Sequence, residues 1–501
     1  MSTQSSMLVR FDTGSLESYE QFLRLKRLPA YSWRGLAAEV PEMYSQLILG
    51  DVEQSTDVDY EPSPHCFDYQ RDISRLAIRK RRFAVFADCG LGKTMIQFEV
   101  LRHALKAETH GKFLLVAPLM VVDQTIEECR KWYGDEIEIQ QLSASDLSKW
   151  LESAAGPRVG ITNYESIRDD LMLSNRNLKG LFLDESSMLK NHYGKWGMRL
   201  IRLGRGVPWK MCFTGTPAPN DRIEYANHAV FLDHYRTTQE FLATYFINRG
   251  QTQERWVLKP HALGPFYRAL SHWCIFLSDP STYGWKDNCS TIPPIYTHIH
   301  NVELTQEQRN AVMDLTGSMF VTEAGGIGQR SKLMRIAKGS YRDKPIATNK
   351  PGFIRDLVDS WPSESTIIWC HHNDEQKLME KTFPEAGSIS GSTPVQKRRE
   401  IIKAFQSGEI KELMSKPKVL GFGLNLQIAT RQVFNGTSDS LEEYYQAVKR
   451  SNRIGSERPL NVHIPVTEVE EPMLSNVLSK ADRVEADTKE QERIFRSNAV
   501  I

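Results

Sequence analysis

A chain of 501 residues has room for two or three domains. Its hydrophobic share of 40%, charged share of 25% and formal net charge of +1 are those of an ordinary globular protein; they exclude a chain-wide electrostatic footprint for nucleic acid or membrane, so any such footprint is a local patch. No uninterrupted apolar run is long enough to cross a bilayer, the first residues lack the apolar core of a signal peptide, and seven cysteines without CxxC spacing argue against a zinc module or disulfide frame and fit a reducing cytoplasm.

In chain order, GSLESYEQFLRLKRL reads as an amphipathic helix with Ser15 or Ser18 as its cap, and PAYSWRGLAAEVPEMYSQLI adds aromatic and basic residues before a second helical stretch. STDVDYEPSPH, residues 55–65, reads as a linker. IRKRR, residues 78–82, is the densest basic run and reads as a solvated cluster, with a DNA contact as the alternative. RFAVFA then reads as a buried strand, ADCGLGKT as a Gly-rich turn and TMIQFEVLRHAL as a helix.

This order suits a phosphate loop, although Ala87 stands where the strict pattern has its first glycine. Gly90 and Gly92 leave backbone N–H groups free to turn around phosphates, Lys93 is placed to reach the β- and γ-phosphates, and Thr94 to ligate Mg²⁺. Further apolar runs, KFLLVAPL, RVGITNYES, LKGLFLDESS and WKMCFTGTPAPN, end in polar residues and are separated by helical stretches, which predicts a parallel α/β sheet. LKGLFLDESS delivers Asp184 and Glu185 at a strand's C-terminal end, Asp184 to hold Mg²⁺ through water and Glu185 to polarise an attacking water; an acidic helix cap is the plainer alternative.

The pattern restarts after about residue 350. STIIWC, GSISGS, IKELMSK, RQVFNG and LNVHIPV are strand candidates, and TPVQKRREIIKAFQSG is a helix with Ile401, Ile402 and Phe405 on one side. In YYQAVKRSNRIGS, the residues Gln446, Arg450 and Arg453 fall near one face of a helix, from which two arginines suit a γ-phosphate; a solvated basic face is the alternative.

Taken in order, FDYQ, CGLGKT, VAPLMVVDQTIEECRKW, ITNYES, DESSMLKN, FTGTPAPN, MRIAKG, SISGSTPVQKRREIIKAFQSG, GFGLNLQ and QAVKRSNRIG resemble the motifs of superfamily 2 helicase-type ATPases. Among these the chain is most similar to SWI/SNF-like DNA translocases of the short phage and bacterial type, over about residues 65 to 467. The resemblance implies an α/β fold with two RecA-like parallel-sheet lobes and a small N-terminal helical extension. The implied divisions are 1–64, accessory; 65–219, first lobe; 220–300, helical insertion bridging the lobes; 301–467, second lobe; and 468–501, helical tail.

The same resemblance implies ATP and Mg²⁺ as cofactors. Gln70 would read the adenine, and Cys89, Gly90, Leu91, Gly92, Lys93, Thr94 and Gln446 would hold the nucleotide. Thr94 and Asp184 would serve the metal, while Lys93, Glu185, Arg450 and Arg453 would be catalytic. The implied partner is DNA, duplex or branched, gripped by its phosphates in a bacterial or phage-infected cell, with no membrane involved. Residues 1–64 suit either a brace on the first lobe or an element that contacts DNA or docks a protein, and the tail either packs back or binds a partner.

The chain departs from the family pattern in three places. Ser187 stands where a histidine often couples hydrolysis to the TGTP segment, and is expected to make a shorter hydrogen bond; Lys449 precedes the first arginine; Ser456 replaces a glutamine. The alternatives to a translocase are a strand-separating helicase on DNA or RNA, a nucleotide-gated DNA grip and, weakest, a phosphotransferase.

Overall fold

A computed structural model describes residues 6–26, 28, 31–41, 44, 48, 59–169, 171, 177–191, 194–250, 255–286, 292–318, 327–361, 363–420, 426–436, 440–453 and 455–498. The chain divides into two units, Met1–Asp287 with Ala486–Ile501, and Asn288–Glu485.

The first unit opens with a three-stranded antiparallel sheet of β1 (Ser6–Arg10), β2 (Ser32–Arg34) and β3 (Ala37–Pro41) in the order β1-β3-β2. The expected first helix is Leu16–Leu25; Ser15 is its cap, its hydroxyl accepting from Ser18 N at 3.3 Å. The aromatic and basic stretch that follows forms β2 and β3, and beyond them the described residues Tyr44 and Ile48 are helical. The two-residue turn between β2 and β3 starts at Gly35, whose φ of 64° meets the positive-φ demand of a tight hairpin. The extension shares its core with the large sheet: Val9, Leu25, Ala38, Val40, Tyr44 and Ile48 cluster with Ala84 and Phe86. Tyr44 OH lies 2.6 Å from His234 Nδ1, and Arg236 pairs with Glu39 at 3.0 Å. These contacts brace the first unit.

The main sheet of this unit uses β4 (Arg82–Ala87), β5 (Lys112–Ala117), β6 (Ile139–Gln141), β7 (Val159–Asn163), β8 (Leu178–Asp184), β9 (Trp209–Phe213) and, beyond the short hairpin β10 (Phe246–Asn248) and β11 (Trp256–Leu258), β12 (Cys274–Leu277). All seven are parallel, in the order β12-β4-β9-β8-β5-β7-β6. Helices line both sides of a parallel sheet, so its strands are apolar on both faces; β5 is buried at every residue. Each such Phe or Leu contributes on the order of 2 kcal/mol through burial.

The segment expected as a bridging insertion behaves otherwise. Residues 220–286 belong to the first unit, where Phe241, Phe246 and Phe266 enter its core and β12 forms an edge of its sheet. Their aromatic richness reflects this packing. The basic run is partly spent on structure: Arg81 lies over Trp209 at 5.0 Å and Arg82 pairs with Asp233 at 3.2 Å.

A buried carboxylate ties the segment before residue 68 to the helix Lys93–Ala107. Glu99 accepts from Tyr60 OH (2.5 Å), Ser63 N (3.0 Å), Tyr133 OH (2.8 Å) and Arg102 (3.1 Å), with no exposure. Glu99→Ala strands all four donors and is expected to cost about 3 kcal/mol in urea unfolding.

The second unit carries β13 (Ile295–Asn301), the two-residue strands β14 (Ser340–Tyr341) and β15 (Lys344–Pro345), β16 (Thr366–Trp369), β17 (Gly387–Ile389), β18 (Glu412–Ser415), β19 (Arg431–Phe434) and β20 (Leu460–Val466). Its six-stranded sheet is parallel throughout, in the order β13-β20-β19-β16-β18-β17. The expected helix is Val395–Gln406, with Ile402 and Phe405 buried in the core and Ile401 packed against it. The tail is the helix Glu471–Asn498, whose Arg222–Asp487 pair (2.5 Å) and Ser278–Glu492 bond (2.6 Å) fasten its last turns within the first unit. No helix among the described residues is long and apolar enough to cross a membrane.

Candidate active site

In the first unit, β4, β9 and β8 are consecutive neighbours, so the loops leaving their C-terminal ends meet at one edge. Those loops are residues 88–92, 214–217 and 185–187, the three segments the sequence singles out.

The phosphate loop ends at Gly92, with φ 69°, and the helix Lys93–Ala107 follows. At this positive φ a side chain would strain the backbone, and its Cβ would lie 2.2 Å from Gln70 Nε2, so the amide would have to move. Gln70, from the helix Asp68–Lys80, is buried against this loop: its Oε1 accepts from Phe67 N at 3.0 Å and its Nε2 faces Leu91 O at 3.4 Å. Tyr69 OH donates to the same carbonyl at 3.1 Å. Lys93 Nζ donates to the carbonyls of Ala87 (2.9 Å) and Asp88 (3.2 Å), which holds the ammonium over the loop. Cys89, Gly90 and Thr94 are half-buried along the same turn.

Asp184 ends β8. Burial first, and then the charge of Glu185, push its carboxyl up to about 7, against the pull of Lys93 and the Glu185 N–H at 3.0 Å. Glu185 is in the left-handed region at φ 49°, which costs a non-glycine residue roughly 1–2 kcal/mol. That turn swings its carboxylate toward the β9 loop, where Thr214 Oγ1 donates to Oε2 at 3.2 Å and in turn accepts from Thr216 N at 3.2 Å. Tyr164 OH, from the end of β7, anchors the Asp184 carbonyl at 2.6 Å.

The link expected from Ser187 is made elsewhere. Ser187 Oγ lies 3.5 Å from the Glu185 carbonyl within its own loop, and Thr214 provides the bond to the TGTP segment. A histidine also reaches this loop from behind: His228 Nε2 is 3.1 Å from Ser186 Oγ, and burial lowers its pKa to about 4, so it stays neutral at pH 7. Thr214 and Tyr164 stood within motifs read from sequence but were given no role of their own there, and His228 was not singled out. Thr214 had a signal, a hydroxyl directly after a buried strand; His228 had none. Thr214→Val is expected to slow turnover about tenfold, because the carboxylate loses its fixed orientation, and steady-state kinetics reads this directly.

The donors suit a hard divalent cation. Among the described residues no group of three or more His, Cys, Asp or Glu is arranged to hold a metal, and Mg²⁺ needs only one or two protein oxygens beside the phosphates, which Asp184 and the Thr94 hydroxyl would offer. A carboxyl whose ionisation is opposed by burial is relieved by such an ion. The folded chain holds the Asp184 proton more tightly than the unfolded chain does. Its stabilising contribution is therefore full below the unfolded value near 4 and lost as pH rises to about 7. Asp184→Asn should accordingly raise Tm more at pH 8 than at pH 5, while removing Mg²⁺-dependent nucleotide binding.

In the second unit, Gln446 lies buried on the helix Leu441–Val448 and faces Glu442 Oε1 at 3.4 Å. The helix stops before the arginines, contrary to the single face expected from spacing. Lys449 is its C-cap, and the N–H groups of Arg450 and Ser451 fall back to i−3 carbonyls at 3.2 Å. The polar Ser451-Asn452 pair favours a turn over more helix, and Gly455 takes φ 91°. Arg450 is 5% exposed and Arg453 half-buried in that turn. Ser456, the departure noted in sequence, accepts from Arg453 N at 3.1 Å and donates to Ser451 O at 2.8 Å. In GFGLNLQ only Leu426 and Gln427 are among the described residues; Leu426 N donates to Arg450 O at 3.0 Å.

Comparison with known proteins adds the family. The family described as SNF2-related domain matches residues 79–350, more than half of the chain, and the helicase conserved C-terminal domain matches residues 349–455. The SWI/SNF chromatin-remodeling complex subunit snf22 of Schizosaccharomyces pombe is 22% identical over 79% of this chain and 26% of its own length. The ATP-dependent DNA helicase DDM1 of Arabidopsis thaliana is 23% identical over 75% of this chain and 55% of its own length. The chain thus spans between about a quarter and about half of these relatives. A solved SWI2/SNF2 ATPase core from Sulfolobus solfataricus in complex with dsDNA has 19% identity and a TM-score of 0.40, over 87% of this chain and 97% of that one.

Proposed function

Because the chain belongs to the SNF2-related family, we propose that it is an ATP-dependent DNA translocase. The observation that carries this reading is the meeting of the phosphate loop, Asp184-Glu185 and Thr214 at one sheet edge. Gln70 reads the adenine, Cys89 to Thr94 wrap the phosphates, and Gln446 is a further proposed nucleotide contact. Thr94 and Asp184 would hold Mg²⁺, which would supply charge neutralisation at the phosphates. Glu185, oriented by Thr214, takes up the proton of the attacking water. Lys93 binds the γ-phosphoryl oxygens, and Arg450 and Arg453 stabilise the charge they develop.

The track is the sugar-phosphate backbone of duplex or branched DNA. Segments 117–119, 162–165, 390–393 and 421–426 are the proposed contacts, offering hydroxyls and backbone N–H groups that suit phosphates and read no base. In 390–393 the hydroxyls of Ser390, Ser392 and Thr393 are already mutually hydrogen-bonded, at 3.0 and 3.2 Å. A protein partner through the extension or tail, and a reducing cytoplasm that its buried free thiols suit, complete the proposal.

The test is ATPase activity with duplex DNA, single strands and RNA across a salt series. Duplex should stimulate at least as well as single strands, with little sequence preference and a steep loss with salt. Stimulation by RNA alone would overturn the proposal.

A further inference from the structure

At the centre of the second sheet, in the middle of an apolar core, stands a glutamine. Gln432 on β19 has no exposure and sits between Trp369 and the helix Leu441–Val448. A buried primary amide is costly unless its donors and acceptors are met, and a leucine would fill the same space without that cost. Here they are met. Oε1 accepts from Trp369 Nε1 at 3.0 Å, and Nε2 donates to Ala447 O at 3.0 Å and Ser451 Oγ at 2.8 Å. Because an indole N–H only donates, Trp369 fixes which way round the amide lies and aims its NH₂ at the helix end.

The two groups it grips flank Arg450 in sequence. From Ser451 the chain of bonds goes on: its carbonyl accepts from Ser456 Oγ at 2.8 Å, and Ser456 Oγ accepts from Arg453 N at 3.1 Å. The helix has ended at its Lys449 cap; the backbone of Arg450 keeps one i−3 bond, to Ala447 O at 3.2 Å, and accepts from Leu426 N at 3.0 Å. A path from the sheet core through side chains adds to these and reaches on to Arg453.

We propose that Gln432 is a positioning residue for Arg450 and Arg453, acting through Ser451 and Ser456 and oriented by Trp369. The proposal rests on the reading of those arginines as catalytic. An arginine that must meet charge only in the transition state is sensitive to small displacement, and a shift of about 1 Å costs up to about a hundredfold in rate.

The experiment compares Gln432→Leu and Ser451→Ala with the parent in DNA-saturated ATPase assays, per folded molecule, alone and in an Arg450→Ala background. The expected result is a fall in kcat of about tenfold or more with KM for ATP within about twofold, and no further fall once Arg450 is gone, since residues acting as a unit are not additive. A kcat within about twofold of the parent for both variants, while Arg450→Ala is inactive, overturns the positioning role. So does an equal drop in the Arg450→Ala background, which marks a merely structural effect. If Gln432→Leu does not fold, Ser451→Ala, which removes one hydroxyl, decides alone. Parental rates in both Arg450→Ala and Arg453→Ala would overturn the catalytic reading itself, and the positioning role with it.

Discussion

Glu185→Gln should bind ATP about as tightly as the parent and hydrolyse it roughly a thousandfold more slowly or worse. The amide keeps the shape, and its one oxygen can still accept from Thr214, but it cannot take the water's proton. Its backbone is already held at positive φ by the loop, so the substitution leaves the geometry of the turn intact. Lys93→Ala should fail earlier, in nucleotide binding as well as turnover, because a phosphate in this loop loses its fixed cation. Equilibrium binding of a fluorescent ATP analogue beside single-turnover hydrolysis separates the two. A Glu185→Gln protein with near-parental turnover would show that the general base lies elsewhere.

Arg450→Ala and Arg453→Ala should each lower kcat by about 10³-fold, the range arginine fingers supply, with a much smaller change in nucleotide affinity. The guanidinium presents a planar fork to phosphoryl oxygens, so Arg450→Lys should recover only part of the loss. Arg450 is 5% exposed, which favours a held group over a freely solvated one. Normal hydrolysis with weakened DNA binding would instead identify a basic face for the track.

What could be read in the sequence follows from how local each signal is. β4, β5, β8 and β9 are buried on both faces and appear as continuous apolar runs. β6 is a short, half-exposed edge strand of Ile139-Gln140-Gln141, and β12 lies within an aromatic stretch that reads as helical, so both escaped. In the extension, Gly35 marked a hairpin that helix periodicity obscured.

The site divides the same way. The phosphate loop is contiguous, and its residues carry their own chemistry. The Thr214–Glu185 bond spans 29 residues and exists because β8 and β9 are neighbours, an adjacency no spacing encodes. The arginines fell on one helical face only while the helix was assumed to continue, and Ser451-Asn452 end it. Gln432 looked like one polar residue in an otherwise apolar strand; its role depends on Trp369, 63 residues away.

The proposed translocase moves along duplex DNA without obligatory strand separation. Displacement of a third strand from a DNA triplex, with the flanking duplex as entry site, tests it most directly. The parent should displace the third strand with ATP, Glu185→Gln should not, and a blunt duplex should stay intact throughout. Brisk DNA-stimulated hydrolysis with no displaced third strand would contradict it and identify a nucleotide-gated grip.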